Sequence, residues 1–108
     1  MIFHITDSES WKRALQTGYY VHPSLKEDGF IHAVKEKQVL DLVEKKFAEA
    51  EELVILHIVE RRLKDKITFV EEDGEQWPRI LSRIPIDAIE DVSVVPKLDD
   101  GSFNWDEF

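Results

Sequence analysis

The segment that most constrains the fold is residues 53–59, Leu-Val-Ile-Leu-His-Ile-Val, which is apolar apart from His57. An unbroken apolar run of this length, without alternation of polar and apolar residues, is typical of a strand that is buried on both faces. We therefore predict that it forms the middle of a sheet. His57 is interpreted as a hydrogen-bonded core residue of this strand.

The N-terminal residues predict a strand followed by a helix. Residues 2–5, Ile-Phe-His-Ile, have the apolar character of a strand. Thr6-x-x-Glu9 then fits a capping box that opens a helix, and Gly18 is the residue type expected at the helix end. A strand, a helix and a terminating glycine therefore form the first structural unit.

A second unit of the same kind follows a loop over residues 19–28, in which we expect at most one short turn. Residues 30–33 predict a strand, and residues 36–50 predict a helix whose apolar positions Val39, Leu42, Val43 and Phe47 face the core. His22 is interpreted as an ordinary loop residue.

Beyond the central run, residues 67–70 and 89–95 predict further strands, and Asp73-Gly74 predicts a turn. Trp77-Pro78 is expected to break the chain. The acidic tail, residues 99–108, is expected to dock its aromatic side chains. The fold class is thus α+β, a single domain over residues 1–108 with five or six strands and two helices near the N-terminal half.

Charge and composition exclude several functional classes. The chain carries 14 Lys and Arg against 23 Asp and Glu, a net charge of −9, which disfavours DNA or large RNA as partners. There is no cysteine, so disulfides and thiol nucleophiles are excluded. No segment resembles a signal peptide or has the length of a membrane span, and we expect a cytoplasmic protein.

Common catalytic and metal motifs are absent. The chain contains no Gly-rich phosphate loop, His-Glu-x-x-His pair or Gly-x-Ser-x-Gly elbow, and its histidines are too widely spaced to indicate a metal site. The basic residues Arg61, Arg62, Lys64 and Lys66 are interpreted as a solvated connection. The candidates that remain are His4 and His32, two imidazoles in predicted strands.

These residues carry a family resemblance. The order His4-x-Thr6, Trp11, Gly18 and His32 resembles the N-terminal half of the ADP-ribosyltransferase-like domain of RNA 2′-phosphotransferases. The whole chain is similar to an uncharacterised, mostly bacterial family, domain of unknown function 952, which is grouped with that fold. The stretches shared with this family include Pro23-Ser24-Leu25, Gly29-Phe30-Ile31-His32, Trp77-Pro78 and Ile84-Pro85-Ile86.

The resemblance implies an NAD-binding cleft between two small packed β-sheets. His4 would hydrogen-bond the ribose on the nicotinamide side, Thr6 and Ser24 would line the pocket, and His32 would stack on or bind the ligand. Arg79 stands where the family usually has a histidine. A guanidinium there could contact a phosphate through two parallel hydrogen bonds, which a neutral imidazole cannot do.

ADP-ribosyl transfer would also need a carboxylate to stabilise the ribosyl cation and activate the acceptor. Glu71, with Glu72 as second choice, is the candidate, and His32 is the other catalytic candidate. The alternative for Glu71 is a solvated residue beside a turn. We therefore expect a small nucleotide ligand, NAD as substrate and an ADP-ribosyltransferase-like activity. The alternatives are a non-catalytic module that binds a nucleotide metabolite and, opposed by the charge, RNA 2′-phosphate transfer.

Overall fold

The computed structural model describes residues 1–108 as a mixed α/β fold with three helices and three small antiparallel sheets. The helices are α1 (Ser8–Thr17), α2 (Ser24–Asp28) and α3 (Glu36–Lys46). The strands are β1 (Ile2–Thr6), β2 (Tyr19–Tyr20), β3 (Ile31–His32), β4 (Glu52–Ile58), β5 (Ile67–Glu72), β6 (Glu75–Ile80), β7 (Ile84–Pro85) and β8 (Ile89–Pro96). None of the helices is long and apolar enough to cross a membrane.

Helix α1 begins and ends much as its sequence predicts, with one correction. Its N-cap is Asp7, whose carboxylate accepts a hydrogen bond from the Ser10 amide at 2.8 Å, so the capping box assigned to Thr6 is wrong by one residue. Thr6 instead remains in β1. Gly18 ends the helix at φ +87°, in the left-handed region that glycine adopts without strain.

Replacing the cap should weaken this helix measurably. Asp7→Ala is expected to lower the free energy of unfolding by about 1 kcal/mol, because one amide in the first turn of α1 loses its acceptor. Urea unfolding monitored by circular dichroism measures the change. Asp7→Asn, which retains a capping oxygen, should stay close to the parent protein. If Asp7→Asn lowered the free energy of unfolding as much as Asp7→Ala, the capping role of Asp7 would be contradicted.

The sheet orders are β1-β4-β8, β2-β7 and β3-β6-β5. The expectation of two sheets and two helices is therefore wrong in number, although all three helices do lie in the N-terminal half. The additional elements are β2 and β7, with two residues each, and the five-residue α2, which are too short to show a periodic pattern. Helix α3 also ends at Lys46 rather than near residue 50.

The prediction that Trp77-Pro78 breaks the chain is wrong, because β6 continues through both residues. The Pro78 carbonyl accepts from the Ala33 amide at 3.3 Å, so the ring nitrogen of Pro78 faces the same side of the strand. On that side β3 has already ended at His32. The absence of an N–H group on Pro78 therefore costs the sheet little hydrogen bonding.

Strand β4 is the middle strand of the sheet β1-β4-β8 and separates two hydrophobic cores, which confirms the prediction for residues 53–59. One face contributes Val54, Leu56 and Ile58 to a core that α1 covers with Ala14. The other contributes Leu53 and Ile55 to a core shared with α3. Partly buried Phe103, Trp105 and Phe108 pack against this second core, so the aromatic side chains of the tail dock as expected.

Candidate functional site

His4 lies in β1 opposite Leu56 and is only 5% exposed. Both of its ring nitrogens have partners inside the protein. Nδ1 lies 2.6 Å from the backbone carbonyl oxygen of His32, and Nε2 lies 2.8 Å from the Tyr20 hydroxyl. The imidazole therefore joins three elements that are distant in sequence, namely β1, β2 and β3.

Burial lowers the pKa of His4 to about 4, although the hydrogen bond to the His32 carbonyl acts in the opposite direction. His4 is therefore neutral near pH 7. Because a carbonyl only accepts, the proton of the neutral ring is on Nδ1, and Nε2 must accept from the Tyr20 hydroxyl.

The Tyr20 hydroxyl lies 2.8 Å from Thr6 Oγ1. Since its only proton points to His4, Thr6 must donate to Tyr20. Burial also raises the pKa of Tyr20 to about 12, so the phenol keeps its proton. The bonds thus run in one direction from Thr6 through Tyr20 and His4 to the carbonyl of His32.

His22, interpreted from the sequence as an ordinary loop residue, is a member of the same site. Its ring centroid lies 5.2 Å from that of His4, with the planes at 77°. The Ser24 amide donates to His22 Nδ1 at 3.1 Å, and the Ser24 hydroxyl lies 2.8 Å from the same nitrogen. Neutral His22 therefore carries its proton on Nε2, which has no partner in the protein.

Burial, with a smaller contribution from His32, lowers the pKa of His22. The structure thus brings His4, His22 and His32 together as one cluster, which we call the histidine cluster. The available signal for His22 was its position two residues before Ser24, a spacing that favours a local side-chain-to-backbone bond.

The histidine cluster reaches the surface at His32, whose side chain is 59% exposed. Its Nε2 lies 3.2 Å from the Asp28 carboxylate, and its ring packs edge-on against Phe30 at 4.6 Å. Arg79 pairs directly with His32 across β3 and β6, and its guanidinium carbon lies 4.1 Å from the centroid of the Phe30 ring. We call the surface formed by Phe30, His32 and Arg79 the Arg79 face.

Arg79 is half-buried, yet its guanidinium has no hydrogen-bond acceptor and no carboxylate within 4.0 Å. Its N–H groups are therefore free for a ligand, while the ring beneath limits how far the group can move. Of the residues predicted from sequence, the structure thus brings together His4, Thr6, Ser24, His32 and Arg79.

Glu71 and Glu72 lie elsewhere. Both are exposed at the hairpin end of β5, opposite Gln76 and Glu75. In β5, the residue that faces Arg79 is Thr68. Strand spacings place Glu71 about 10 Å further along β5 and two strands, again about 10 Å, from β3. The structure therefore leaves both carboxylates outside the histidine cluster.

His57 belongs to the opposite side of the central sheet. Its Nε2 lies 2.6 Å from the Ser93 hydroxyl, and its ring packs against Phe3 at 5.0 Å and Phe108 at 5.5 Å. Burial lowers the pKa of His57. Its place beside the second core fits the structural interpretation, although its partner is a side chain rather than the backbone.

No group of three His, Asp or Glu side chains has an arrangement that could hold a metal ion. Two concavities on the surface lie away from the histidine cluster. One, of about 190 Å³, lies between α3 and the tail, and the other, of about 620 Å³, is lined by residues 61–66 and 82–88. Neither of these two concavities is lined by Phe30, His32 or Arg79.

A family model described as "Protein of unknown function (DUF952)" matches residues 5–92. The chain belongs to this family. The region that matches the DUF952 model includes His22, His32 and Arg79, and His4 lies immediately before it. No curated protein matches the chain.

Solved structures of protein CC0527 from Caulobacter crescentus have the same fold as this DUF952 chain. A crystal structure is 19% identical over 98% of this chain and 95% of that chain, with a TM-score of 0.86. A solution NMR structure is 20% identical over 93% of this chain and 88% of that chain, with a TM-score of 0.78. At this identity the likeness concerns the architecture alone.

Proposed function

We propose that this protein binds NAD or a closely related nucleotide at the Arg79 face, as an ADP-ribosyltransferase-like domain that acts as a binding module. The observation that carries the proposal is Arg79 itself, a half-buried guanidinium over the Phe30 ring whose N–H groups have no partner. A guanidinium held in this way suits two-point contact with a phosphate. Because the chain as a whole carries a net charge of −9 and repels anions, an anionic ligand needs a local cation of this kind to hold it.

The histidines supply further contacts under this proposal. His22 offers an Nε2–H donor without a partner, and the exposed ring of His32 offers an edge and a face. His4 would have to release Tyr20 or the His32 carbonyl to bind a ribose. We therefore assign it a positioning role, in which it fixes the backbone of His32 and the hydroxyl pair of Tyr20 and Thr6.

Binding without transfer is favoured by the position of the acidic residues. By strand spacings Glu71 lies about 14 Å from His32 and Glu72 lies further still, so neither could act on a ribose held at the Arg79 face without a large movement of the β5–β6 hairpin. Asp28 does lie beside His32 and contacts its Nε2. A transferase reaction at this face would therefore have to use Asp28 or one of the other carboxylates near His22, namely Asp7 and Glu27.

The test is nucleotide binding by matched arginine variants. NAD, ADP-ribose and nicotinamide are titrated calorimetrically, and Arg79→Gln is expected to weaken the binding of NAD at least tenfold. Arg83→Gln is the control, because the Arg83 guanidinium also lies over an exposed ring, that of Tyr19, at 3.8 Å. It should change the affinity less than twofold. Ligand present at a hundred times its dissociation constant should stabilise the protein by about 2.7 kcal/mol.

Two outcomes would contradict the proposal. If none of the three ligands binds, the nucleotide hypothesis is wrong. If Arg79→Gln and Arg83→Gln lose the same affinity for NAD, the Arg79 face is not the site. Release of nicotinamide from NAD would establish an enzyme instead of a binding module. Asp28→Asn and Glu71→Gln would then show which carboxylate the reaction uses.

A further inference from the structure

The larger concavity, of about 620 Å³, has an unusual concentration of positive charge. It is lined by Arg61, Arg62, Leu63, Lys64, Lys66, Ser82, Pro85, Asp87 and Ala88, and we call it the basic cavity. Four cations and one carboxylate leave three net positive charges around it. The rest of the chain is correspondingly more acidic, since the whole carries −9.

The cations of the basic cavity are not neutralised by the protein. No carboxylate lies within 4.0 Å of any of the four basic groups, although the chain contains 23 acidic residues. Arg62 alone has a protein partner, since its Nη1 donates to the backbone oxygen of Asp87 at 3.2 Å. This bond holds the Arg62 guanidinium against the wall formed by residues 86–88. The other three cations have all their donors available.

The backbone at Lys64 is a second, independent observation. Lys64 has φ +57° and ψ −121°, and the Lys66 amide donates to the Leu63 carbonyl at 3.0 Å. These are the features of a type II′ turn, whose first central position strongly favours glycine. The chain places a lysine where glycine would be unstrained. Backbone strain of this kind clusters at ligand-binding and active sites.

We propose that the basic cavity binds a small ligand that carries a triphosphate or a longer phosphate chain. Three net positive charges suit a triphosphate better than a dinucleotide, which has only two phosphates, and the volume is within the range of small-molecule sites. The acidic remainder of the surface disfavours extended nucleic acid as the occupant. The site shares no residue with the Arg79 face, so this proposal does not depend on the proposed function.

The test uses inorganic tripolyphosphate as the probe, titrated calorimetrically into the full chain. Arg61→Ala combined with Lys66→Ala is expected to weaken its binding at least tenfold. The matched control is Lys12→Ala with Arg13→Ala, which removes one lysine and one arginine from the exposed surface of α1 and should change the affinity less than twofold. The proposal would be overturned if the parent protein showed no saturable binding of tripolyphosphate. It would also be overturned if the two double variants lost the same affinity for tripolyphosphate.

Lys64→Gly provides a variant that is expected to keep its fold. It relieves the positive φ, so its thermal midpoint should rise by about 4 °C, while its affinity for tripolyphosphate falls severalfold. If Lys64→Gly raised the thermal midpoint but left the affinity for tripolyphosphate unchanged, the part of the proposal that concerns Lys64 would be overturned.

The two sites are distinguished by exchanging the variants. Arg79→Gln should leave the binding of tripolyphosphate unchanged, and Arg61→Ala with Lys66→Ala should leave the binding of NAD unchanged. Amide NMR shifts caused by tripolyphosphate should fall on residues 60–66 and 82–88. Loss of tripolyphosphate binding in Arg79→Gln, or displacement of tripolyphosphate by a short RNA at lower concentration, would overturn the proposal.

Discussion

Lowering the pH from 7 to 4.5 is expected to reduce the free energy of unfolding by about 2–3 kcal/mol through His4 alone. Burial lowers the pKa of His4 to about 4 in the folded protein, against 6.5 for an unperturbed histidine. Below pH 6.5 the unfolded chain therefore binds a proton that the folded protein does not. The contribution of His4 to the free energy of unfolding is therefore fully present above pH 6.5 and is lost as the pH falls toward 4. The lowered pKa values of His22 and His57 act in the same direction.

Urea unfolding across this pH range measures the effect, and NMR titration of the His4 ring protons identifies its source. The His4 resonance should shift only near pH 4. A matched pair of variants separates the contributions, because His4→Gln should lose most of the slope whereas His32→Gln, at an exposed position, should keep it. A His4 resonance that titrates near pH 6.5 would show that the buried network does not exist in solution.

Tyr20→Phe is expected to lower the free energy of unfolding by about 1–3 kcal/mol, although it removes a single oxygen atom. The Tyr20 side chain is 1% exposed, and its hydroxyl is the partner of both His4 Nε2 and Thr6 Oγ1. Without it, the lone pair of a buried imidazole has neither a protein donor nor access to water. The loss is therefore dominated by the unsatisfied nitrogen rather than by the bond itself.

The adjacent residue provides the control for this change. Tyr19 is 37% exposed, and its hydroxyl makes no hydrogen bond to the protein, so Tyr19→Phe should change the stability by less than about 0.5 kcal/mol. Chemical denaturation of the two variants and the parent protein gives the comparison. Similar values for both variants would mean that the Tyr20 hydroxyl does not complete the network.

Local sequence patterns predict those strands, helix ends and turns that depend on only a few consecutive residues. The apolar run of β4 is buried on both faces, Gly18 ends α1, and Asp73-Gly74 turns the β5–β6 hairpin with φ values of +53° and +78°. Two successive positive φ angles define a type I′ turn, for which Asp-Gly is a preferred pair. Each of these outcomes depends on backbone preference or apolar content, which are properties of the segment itself.

The composition of the site could be predicted only in part, because it depends on contacts between distant segments. The sequence indicates His4 and His32 as candidates, but it does not show that the backbone carbonyl of His32 accepts a hydrogen bond from the ring of His4. His22 looked ordinary because its neighbours in space are remote in the chain. Residue type alone indicates Glu71, whereas its distance from β3 depends on the pairing of β5 with β6.

The pairing of β1 with β4 also has a consequence for how the chain reaches its native state. The β5–β6 hairpin closes through a two-residue turn, whereas β1 must wait for a partner that begins at Glu52 and is itself completed by β8, from Ile89 onward. Contacts between such distant segments are slow to form. Strand β1 is therefore synthesised well before the strand that it pairs with, and until that pairing forms its apolar edge is exposed to aggregation.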